Sequence, residues 1–258
     1  MNELDILNKK YGGIVTAIHR GRYVKYSGGE MDDKFFETLD EKYKTLPRES
    51  FKESVIWEGQ LLNEEGSFYS PRIHTGGDAS ENRYTDAYIK IFEHLKDVRF
   101  HFLEIGIFQG RSLAMWSDYF KNATINGIDI NTKEFYLTKP ELEKMSAFTN
   151  NNLGLIEQID TTQNMLTEIG NCFRIIIDDG NHAAEAQWAT FKNYFPFLCS
   201  GGIYVVEDVN KNWAEKFKNE MLKLRDNDED CMSIFKVIKD IEVIECNENA
   251  RLLVIKRR

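Results

Sequence analysis

The sequence lacks three features that would place it in a specialised class of proteins. No apolar run approaches the ~18 residues that a membrane-spanning helix needs. Basic residues are not in excess, since 33 Lys and Arg stand against 42 Asp and Glu for a net charge of -9. That sign opposes a general affinity for nucleic acid, which requires clustered cations. Acidic residues occur near the N-terminus, where a signal peptide would be apolar, so we expect a cytoplasmic protein. Together, the three features predict that the protein has no nucleic-acid partner and no membrane partner.

The cysteines also lack the spacing of a metal clip. The four are Cys172, Cys199, Cys231 and Cys246, and no C-x-x-C pair occurs among them. A chain of 258 residues builds a hydrophobic core without needing disulfide staples. We therefore expect reduced and mostly buried thiols.

The chain changes character near residue 80. The residues before this point show no sustained hydrophobic period. We predict that 1–80 is an N-terminal extension that forms a lid, a substrate contact or an oligomer contact. In the last case the protein would be a homo-oligomer. From Tyr84 onward, helical and strand patterns alternate, so 81–258 is predicted to be one α/β domain.

This alternation predicts a Rossmann-like, doubly wound sheet of seven mostly parallel strands with helices on both faces. The continuous apolar run 173–177 is typical of a central parallel strand that is buried on both faces. The loop between the last two strands is short, which predicts a C-terminal antiparallel hairpin. The predicted strands are 100–105, 124–128, 153–159, 173–177, 203–206, 241–245 and 252–255. The predicted helices include one at 142–148 and a short one at 165–169. Ligands of such sheets bind beyond the carboxyl ends of the strands.

Three of those strand ends carry candidate cofactor-binding residues. The first reads E-x-G-x-x-x-G through Glu104, Gly106 and Gly110, where the glycines permit a tight turn and the close approach of a ligand. The pattern is not G-x-G-x-x-G, which counts against a pyrophosphate dinucleotide. Asp129 ends the second strand, where a carboxylate accepts hydrogen bonds from ribose hydroxyls. Asp160 ends the third strand and is a candidate to hold an adenine amino group.

Each of these assignments has a structural alternative. Asp129 and Asp160 occupy positions where Asp commonly caps a helix or forms a turn. Tyr84, on the helix that precedes the first strand, either covers the cofactor or only packs in the core. Ser112 and Asp178 complete the predicted cofactor-binding set.

Two acidic pairs end the next two strands. They are Asp178-Asp179 and Glu207-Asp208, and the sheet plan places both at the same crevice. Carboxylates that converge repel one another unless a cation or protons intervene, and oxygen ligands suit Mg²⁺, Mn²⁺ or Ca²⁺. His182 follows the first pair and is a candidate general base. The alternative is that the acidic residues stabilise a helix N-terminus.

These segments resemble class I S-adenosylmethionine-dependent methyltransferases, and in particular the macrocin/mycinamicin-type sugar O-methyltransferases. Residues 102–116 and 125–130 are similar to the cofactor half of that group. Residues 174–182 read R-I-I-I-D-D-G-N-H and residues 201–208 read G-G-I-Y-V-V-E-D, similar to the acidic signatures of the group. The resemblance covers about 76–210.

The resemblance implies an S-adenosylmethionine-dependent enzyme that methylates a sugar or glycoside hydroxyl. It implies Mg²⁺, or Mn²⁺, bound by Asp179, Glu207 and Asp208, and it assigns catalysis to His182 together with Asp179. Three alternatives stay open: a methyltransferase for a catechol or another small phenol, a relative of the cephalosporin hydroxylases, and a non-catalytic nucleoside-binding subunit.

Overall fold

The computed structural model describes residues 2–12, 84–150, 152–166, 172–227, 234–247 and 250–258, and the backbone of five short strands between residues 15 and 69. The helices are α1 Glu3–Gly12, α2 Tyr84–Phe92, α3 Arg111–Tyr119, α4 Lys133–Lys144, α5 Ala184–Tyr194 and α6 Lys211–Asp226. The short strands are β1 Val15–His19, β2 Arg22–Tyr26, β3 Val55–Trp57, β4 Gln60–Leu62 and β5 Phe68–Tyr69. The remaining strands are β6 His101–Ile105, β7 Thr124–Asp129, β8 Leu153–Gln158, β9 Phe173–Asp178, β10 Leu198–Val206, β11 Ile238–Glu245 and β12 Arg251–Arg257.

The seven later strands form one sheet in the order β11-β12-β10-β9-β6-β7-β8. The pairs among β6 to β10 are parallel, and β12 is antiparallel to both β10 and β11. This confirms the predicted Rossmann-like sheet with its closing hairpin. The chain leaves β6 toward β7 and β8 on one side and returns to β9 and β10 on the other. The switch point, where such sheets bind ligands, therefore lies between β6 and β9.

Alternating side chains of the central strands build a separate core on each face of the sheet. Ile175 and Ile177 of β9 pack with α1, α2 and α3, whereas Ile176 between them packs with α5 and α6. All three isoleucines are fully buried, which stabilises the fold by ~1.5–3 kcal/mol each. The continuous apolar run of β9 thus reflects two buried faces, as predicted.

Helix α1 belongs to the core of the sheet domain although it comes from the first 80 residues. Its Leu4 and Tyr11 are buried in the cluster that also contains α3. The Tyr11 hydroxyl donates to Asp118 at 2.6 Å, and the Lys10 ammonium lies 2.7 Å from the same carboxylate. The predicted domain boundary at residue 80 falls outside the described residues.

Two cysteines differ from the prediction of reduced thiols. Cys172 and Cys199 form a disulfide, with their Cα atoms 5.0 Å apart. The bond lies at an irregularity in the pairing, since β10 shifts register against β9 between Leu198, opposite Phe173, and Ile203, opposite Ile175. Cys246 is half-buried and lies outside this bond. Cys231 lies outside the described residues.

Two predicted helices differ in the structure. The helix expected at 142–148 is the end of α4, which starts at Lys133 and ends at Lys144. Ser146 and Phe148 have positive φ angles of 67° and 59°, which a right-handed helix does not accommodate. In the short helix expected at 165–169, residues 165 and 166 are not helical, and the rest lies outside the described residues. Among the described residues, no helix has the length and apolarity needed to cross a membrane.

Candidate active site

The loop after β6 brings the first strand into contact with the loop after β9. Gly106 has a φ of 89°, and a Cβ at this position would lie 2.1 Å from the backbone oxygen of Asp179. The Asp179 amide donates to the Ile105 oxygen at 2.8 Å, which joins the two loops. Gly106 is therefore required by a close approach within the protein. The glycine that was predicted to permit a tight turn and the approach of a ligand also admits the loop after β9.

Gly110 serves a similar structural purpose at the start of α3. It precedes the helix with a φ of 75°, and a Cβ would lie 2.3 Å from the ring of Phe135 on α4. The left-handed conformation and the packed ring both favour glycine. Gly110 thus allows α3 to start close to α4. It is not among the residues that line the cleft described in the following paragraphs.

Glu104 lies behind the loop. Its side chain is 1% exposed, and the Ser112 hydroxyl donates to its carboxyl at 3.0 Å. Burial raises the pKa of Glu104 well above its ordinary value, and the nearby Asp179 and Glu207 raise it further. Its buried environment therefore favours the neutral acid. Glu104 and Ser112 support the loop after β6 from inside.

A cleft of about 380 Å³ opens at the carboxyl ends of β6, β7, β8 and β9. This volume is in the usual range of small-molecule sites, roughly 300–1,000 Å³. The cleft lies at the switch point of the sheet, where the fold predicts a ligand. Its lining residues are Ile105, Gly106, Phe108, Asp129, Ile130, Ile159, Asp160, Thr161, Thr162, Asp179, Gly180, Asn181 and His182.

Two predicted carboxylates line one end of this cleft. Asp129 accepts hydrogen bonds from the backbone amides of Phe108 at 2.8 Å and Asn131 at 2.9 Å, which fixes the orientation of its carboxylate. Asp160 accepts from the Thr162 amide at 3.0 Å and from the Thr162 hydroxyl at 2.6 Å. Both the turn-forming interpretation and the ligand-binding interpretation fit this geometry, because each carboxylate has further lone pairs.

The opposite end of the cleft leads to a group of side chains suited to a cation. Asp179, His182 and Asp208 each offer one ligand atom, and these atoms lie within 4.8 Å of one another. The His182 Nε2 lies 3.3 Å from the Asp179 carboxylate, and the Nδ1 lies 3.9 Å from that of Asp208. Carboxylate oxygens suit Mg²⁺ and Mn²⁺, so the donor set fits a divalent cation.

The other member of each acidic pair is not among these three residues. Asp178 is 2% exposed, and its carboxylate accepts from the Tyr204 hydroxyl and the Gly180 amide, both at 3.3 Å. Burial raises the pKa of Asp178 to about 7. Glu207 accepts a hydrogen bond from the Tyr88 hydroxyl and is not one of the three residues that share ligand distances.

Tyr84 lies in the first turn of α2, next to the acidic pair Glu207-Asp208, and does not line the cleft. The Tyr84 hydroxyl donates to the Asp208 carboxylate at 2.6 Å and accepts from the Asp208 amide at 3.2 Å. Its side chain is 1% exposed. Burial and the nearby carboxylates raise the pKa of Tyr84, so the phenol stays protonated and remains a donor.

The structure thus brings six of the predicted site residues into the cleft or into the group of possible cation ligands at its end. The six are Gly106, Asp129, Asp160, Asp179, His182 and Asp208. Five predicted residues support these from behind: Glu104, Gly110, Ser112, Asp178 and Tyr84. Sequence reasoning missed Thr161, Thr162 and Tyr88. The position of the two threonines directly after Asp160 was the available signal.

Comparison with known proteins finds a match over the region that contains the cleft. Residues 103–209 match the family described as a methyltransferase domain. A segment of 142 residues is 31% identical to an 8-demethyl-8-alpha-L-rhamnosyl tetracenomycin-C 2'-O-methyltransferase of Streptomyces olivaceus, covering 52% of this chain and 35% of that protein. The demethylmacrocin O-methyltransferase of Streptomyces fradiae is 31% identical over 136 residues, which is 49% of this chain and 31% of the relative.

The matches to these relatives therefore span about a third of each relative's length. Among solved structures, the methyltransferase MycE from the mycinamycin biosynthetic pathway, in complex with Mg and SAH, is similar with a TM-score of 0.48 and 18% identity. That similarity covers 69% of this chain and 52% of MycE.

Proposed function

We propose, from the methyltransferase domain at residues 103–209, that this chain transfers a methyl group from S-adenosylmethionine to a sugar or glycoside hydroxyl with the help of a divalent cation. One observation carries the proposal. A single cleft runs from Asp129 and Asp160, suited to a nucleoside, to Asp179 and His182, suited to the reaction. The name of the tetracenomycin-C relative supports the acceptor class, since that protein is an O-methyltransferase of a rhamnosyl compound.

The residues at the nucleoside end fit the donor substrate. Asp129 is held by two backbone amides, so its remaining lone pairs are available in a fixed direction to ribose hydroxyls. Asp160 and its neighbour Thr162 form the adjacent wall, where an adenine amino group would meet a carboxylate. Ile130 is 67% exposed beside them and offers an apolar surface to a base.

The residues at the other end fit the acceptor hydroxyl. Asp179 and Asp208 would hold the cation, and Glu207 remains the third predicted ligand. A divalent cation held there would supply a charge that orients the sugar and lowers the pKa of its hydroxyl. Methyl transfer forms a bond from the acceptor oxygen to carbon as the carbon–sulfur bond breaks, and the hydroxyl proton passes to His182. Asp179, 3.3 Å from the His182 Nε2, stabilises the charge that the imidazole gains.

A transfer assay tests this proposal directly. Protein treated with EDTA is incubated with radiolabelled S-adenosylmethionine and a panel of acceptors that includes rhamnosides, olivosides and catechol, with Mg²⁺ or Mn²⁺ added back. We expect label on a glycoside only when the metal is restored. Label on catechol alone would move the assignment to phenols. Binding of S-adenosylhomocysteine without transfer to any acceptor would favour the non-catalytic nucleoside-binding subunit.

Variants separate the roles of the residues at the reaction end. His182→Ala should lower the transfer rate by ~10²–10⁴-fold, because a general base is lost. Asp179→Ala should abolish turnover, because both a cation ligand and the partner of His182 are lost. Either variant should still bind S-adenosylhomocysteine. Full activity in either one would contradict the assigned role.

A further inference from the structure

Two buried phenols of α2 meet the two carboxylates that follow β10. Tyr84 and Tyr88 lie one helical turn apart, so their side chains share a face of α2. The Tyr84 hydroxyl donates to Asp208 at 2.6 Å, and the Tyr88 hydroxyl donates to Glu207. Each phenol is 1% exposed. One helix face therefore contacts both members of the acidic pair.

The backbone of Asp208 makes this double contact possible. Consecutive residues of an extended strand point to opposite faces of the sheet, and a helix on one face would then meet only one carboxylate. Asp208 has a φ of 51°, in the left-handed region that is uncommon for residues with a Cβ. The Tyr84 hydroxyl contacts both the amide and the carboxylate of Asp208, at 3.2 and 2.6 Å. The phenol thus stabilises the conformation that turns Asp208 toward the cation group.

The two phenols are themselves held firmly. The Tyr88 ring lies 5.4 Å from the Phe92 ring and 5.2 Å from that of Trp116. At the other end of α2, the Thr85 hydroxyl donates to the Asp5 carboxylate of α1 at 2.5 Å. A helix that is packed along its length presents its hydroxyls with little freedom to move.

We propose that Tyr84 and Tyr88 are positioning residues that hold Asp208 and Glu207 in the arrangement that binds a divalent cation. This inference rests on the proposed function, because it assumes that Asp179 and Asp208 hold a cation with Glu207 as the third predicted ligand. Neither phenol lines the cofactor cleft, so their effect falls on the metal and not on the nucleoside. Substituting a residue that orients a metal ligand typically lowers metal affinity 10–100-fold.

The test measures Mn²⁺ binding by the EDTA-treated full chain, with free Mn²⁺ quantified by electron paramagnetic resonance and without any acceptor. Tyr84→Phe removes only the hydroxyl. We expect its Kd for Mn²⁺ to rise ~10–100-fold, while its Kd for S-adenosylhomocysteine stays within about twofold of wild type. Thr85→Val is the matched control, because it removes the adjacent buried hydroxyl of the same helix without touching the acidic pair. Its Mn²⁺ affinity should be that of wild type.

Four contrary results are distinguishable. Wild-type Mn²⁺ affinity in Tyr84→Phe overturns the positioning role and leaves the proposed function intact. An equal loss of Mn²⁺ affinity in Thr85→Val assigns the effect to α2 as a whole and also overturns the positioning role. If Tyr84→Phe loses S-adenosylhomocysteine affinity as strongly as Mn²⁺ affinity, the positioning role is overturned as well. If wild type binds S-adenosylhomocysteine but no Mn²⁺, the metal-assisted part of the proposed function fails, and this inference fails with it. Should Tyr84→Phe melt below the assay temperature, Tyr88→Phe replaces it, with the same expected loss and the same contrary result.

Discussion

The Cys172–Cys199 disulfide closes a covalent ring around the reaction end of the site. It joins the start of β9 to the start of β10, and the chain between them carries Asp179, His182 and all of α5. Cys172 is exposed and Cys199 is half-buried, so a soluble reductant reaches the bond in the folded protein. Reduction, or the double substitution Cys172→Ser with Cys199→Ser, removes this constraint from the unfolded chain.

The cost of removing the constraint follows from the size of the ring. The two cysteines are 27 residues apart. The chain-entropy relation for a ring of that size gives a loss of about 12 cal/mol/K, or about 3.5 kcal/mol at 25 °C. For a chain of 258 residues, this corresponds to a fall in melting temperature of roughly 7–14 °C.

Urea unfolding with and without a phosphine reductant measures this difference. The wild type should lose about 3.5 kcal/mol of unfolding free energy on reduction. The double serine variant should be less stable than oxidised wild type by the same amount, and reductant should not change its stability. Cys246→Ser is the matched control, since Cys246 is outside the bond and should leave the reductant effect unchanged. An oxidised wild type that is no more stable than the reduced protein would refute the reasoning, as would a mass spectrum without the bond.

Two further predictions concern the loop after β6 and the nucleoside end of the cleft. Gly106→Ala should lower the unfolding free energy by about 3 kcal/mol or more, because the new Cβ meets the Asp179 backbone in a left-handed conformation. Gly180→Ala, where the nearest atom to a Cβ lies 3.4 Å away, should cost less than about 1 kcal/mol, and equal urea midpoints would contradict this contrast. Asp129→Asn should weaken S-adenosylhomocysteine binding about 10- to 100-fold by calorimetry, because hydrogen bonds to a charged acceptor contribute ~1.5–3 kcal/mol. Unchanged affinity would remove Asp129 from the ribose site.

The sheet and the line of acidic strand ends were predictable because both depend on local pattern. Ile175 to Ile177 form a continuous apolar run, and Asp179, Asp129 and Asp160 lie at the carboxyl ends of their strands. In a parallel sheet, strand ends converge whatever the details of packing. The pattern therefore predicted which residues would surround the cleft before any distance was known.

Pairing register and backbone conformation were not predictable in the same way. The disulfide lies where β10 shifts its register against β9 after Leu198, and the sequence does not specify that irregularity. Tyr84 carried the helical spacing of a core residue, but its contact with Asp208 depends on the positive φ of that residue. The spacing of Gly106 indicated a turn, yet the partner that demands glycine comes from a distant loop.

A thermal shift on EDTA-treated protein tests the central claim most directly, with S-adenosylhomocysteine and Mg²⁺ added singly and together. A ligand at ~100 times its Kd adds about 2.7 kcal/mol, which is roughly 5–10 °C for a domain of this size. We predict such a shift with S-adenosylhomocysteine and a larger one when Mg²⁺ is also present. No shift with S-adenosylhomocysteine, together with a shift on adding NAD or a nucleotide sugar, would contradict the methyl-transfer assignment.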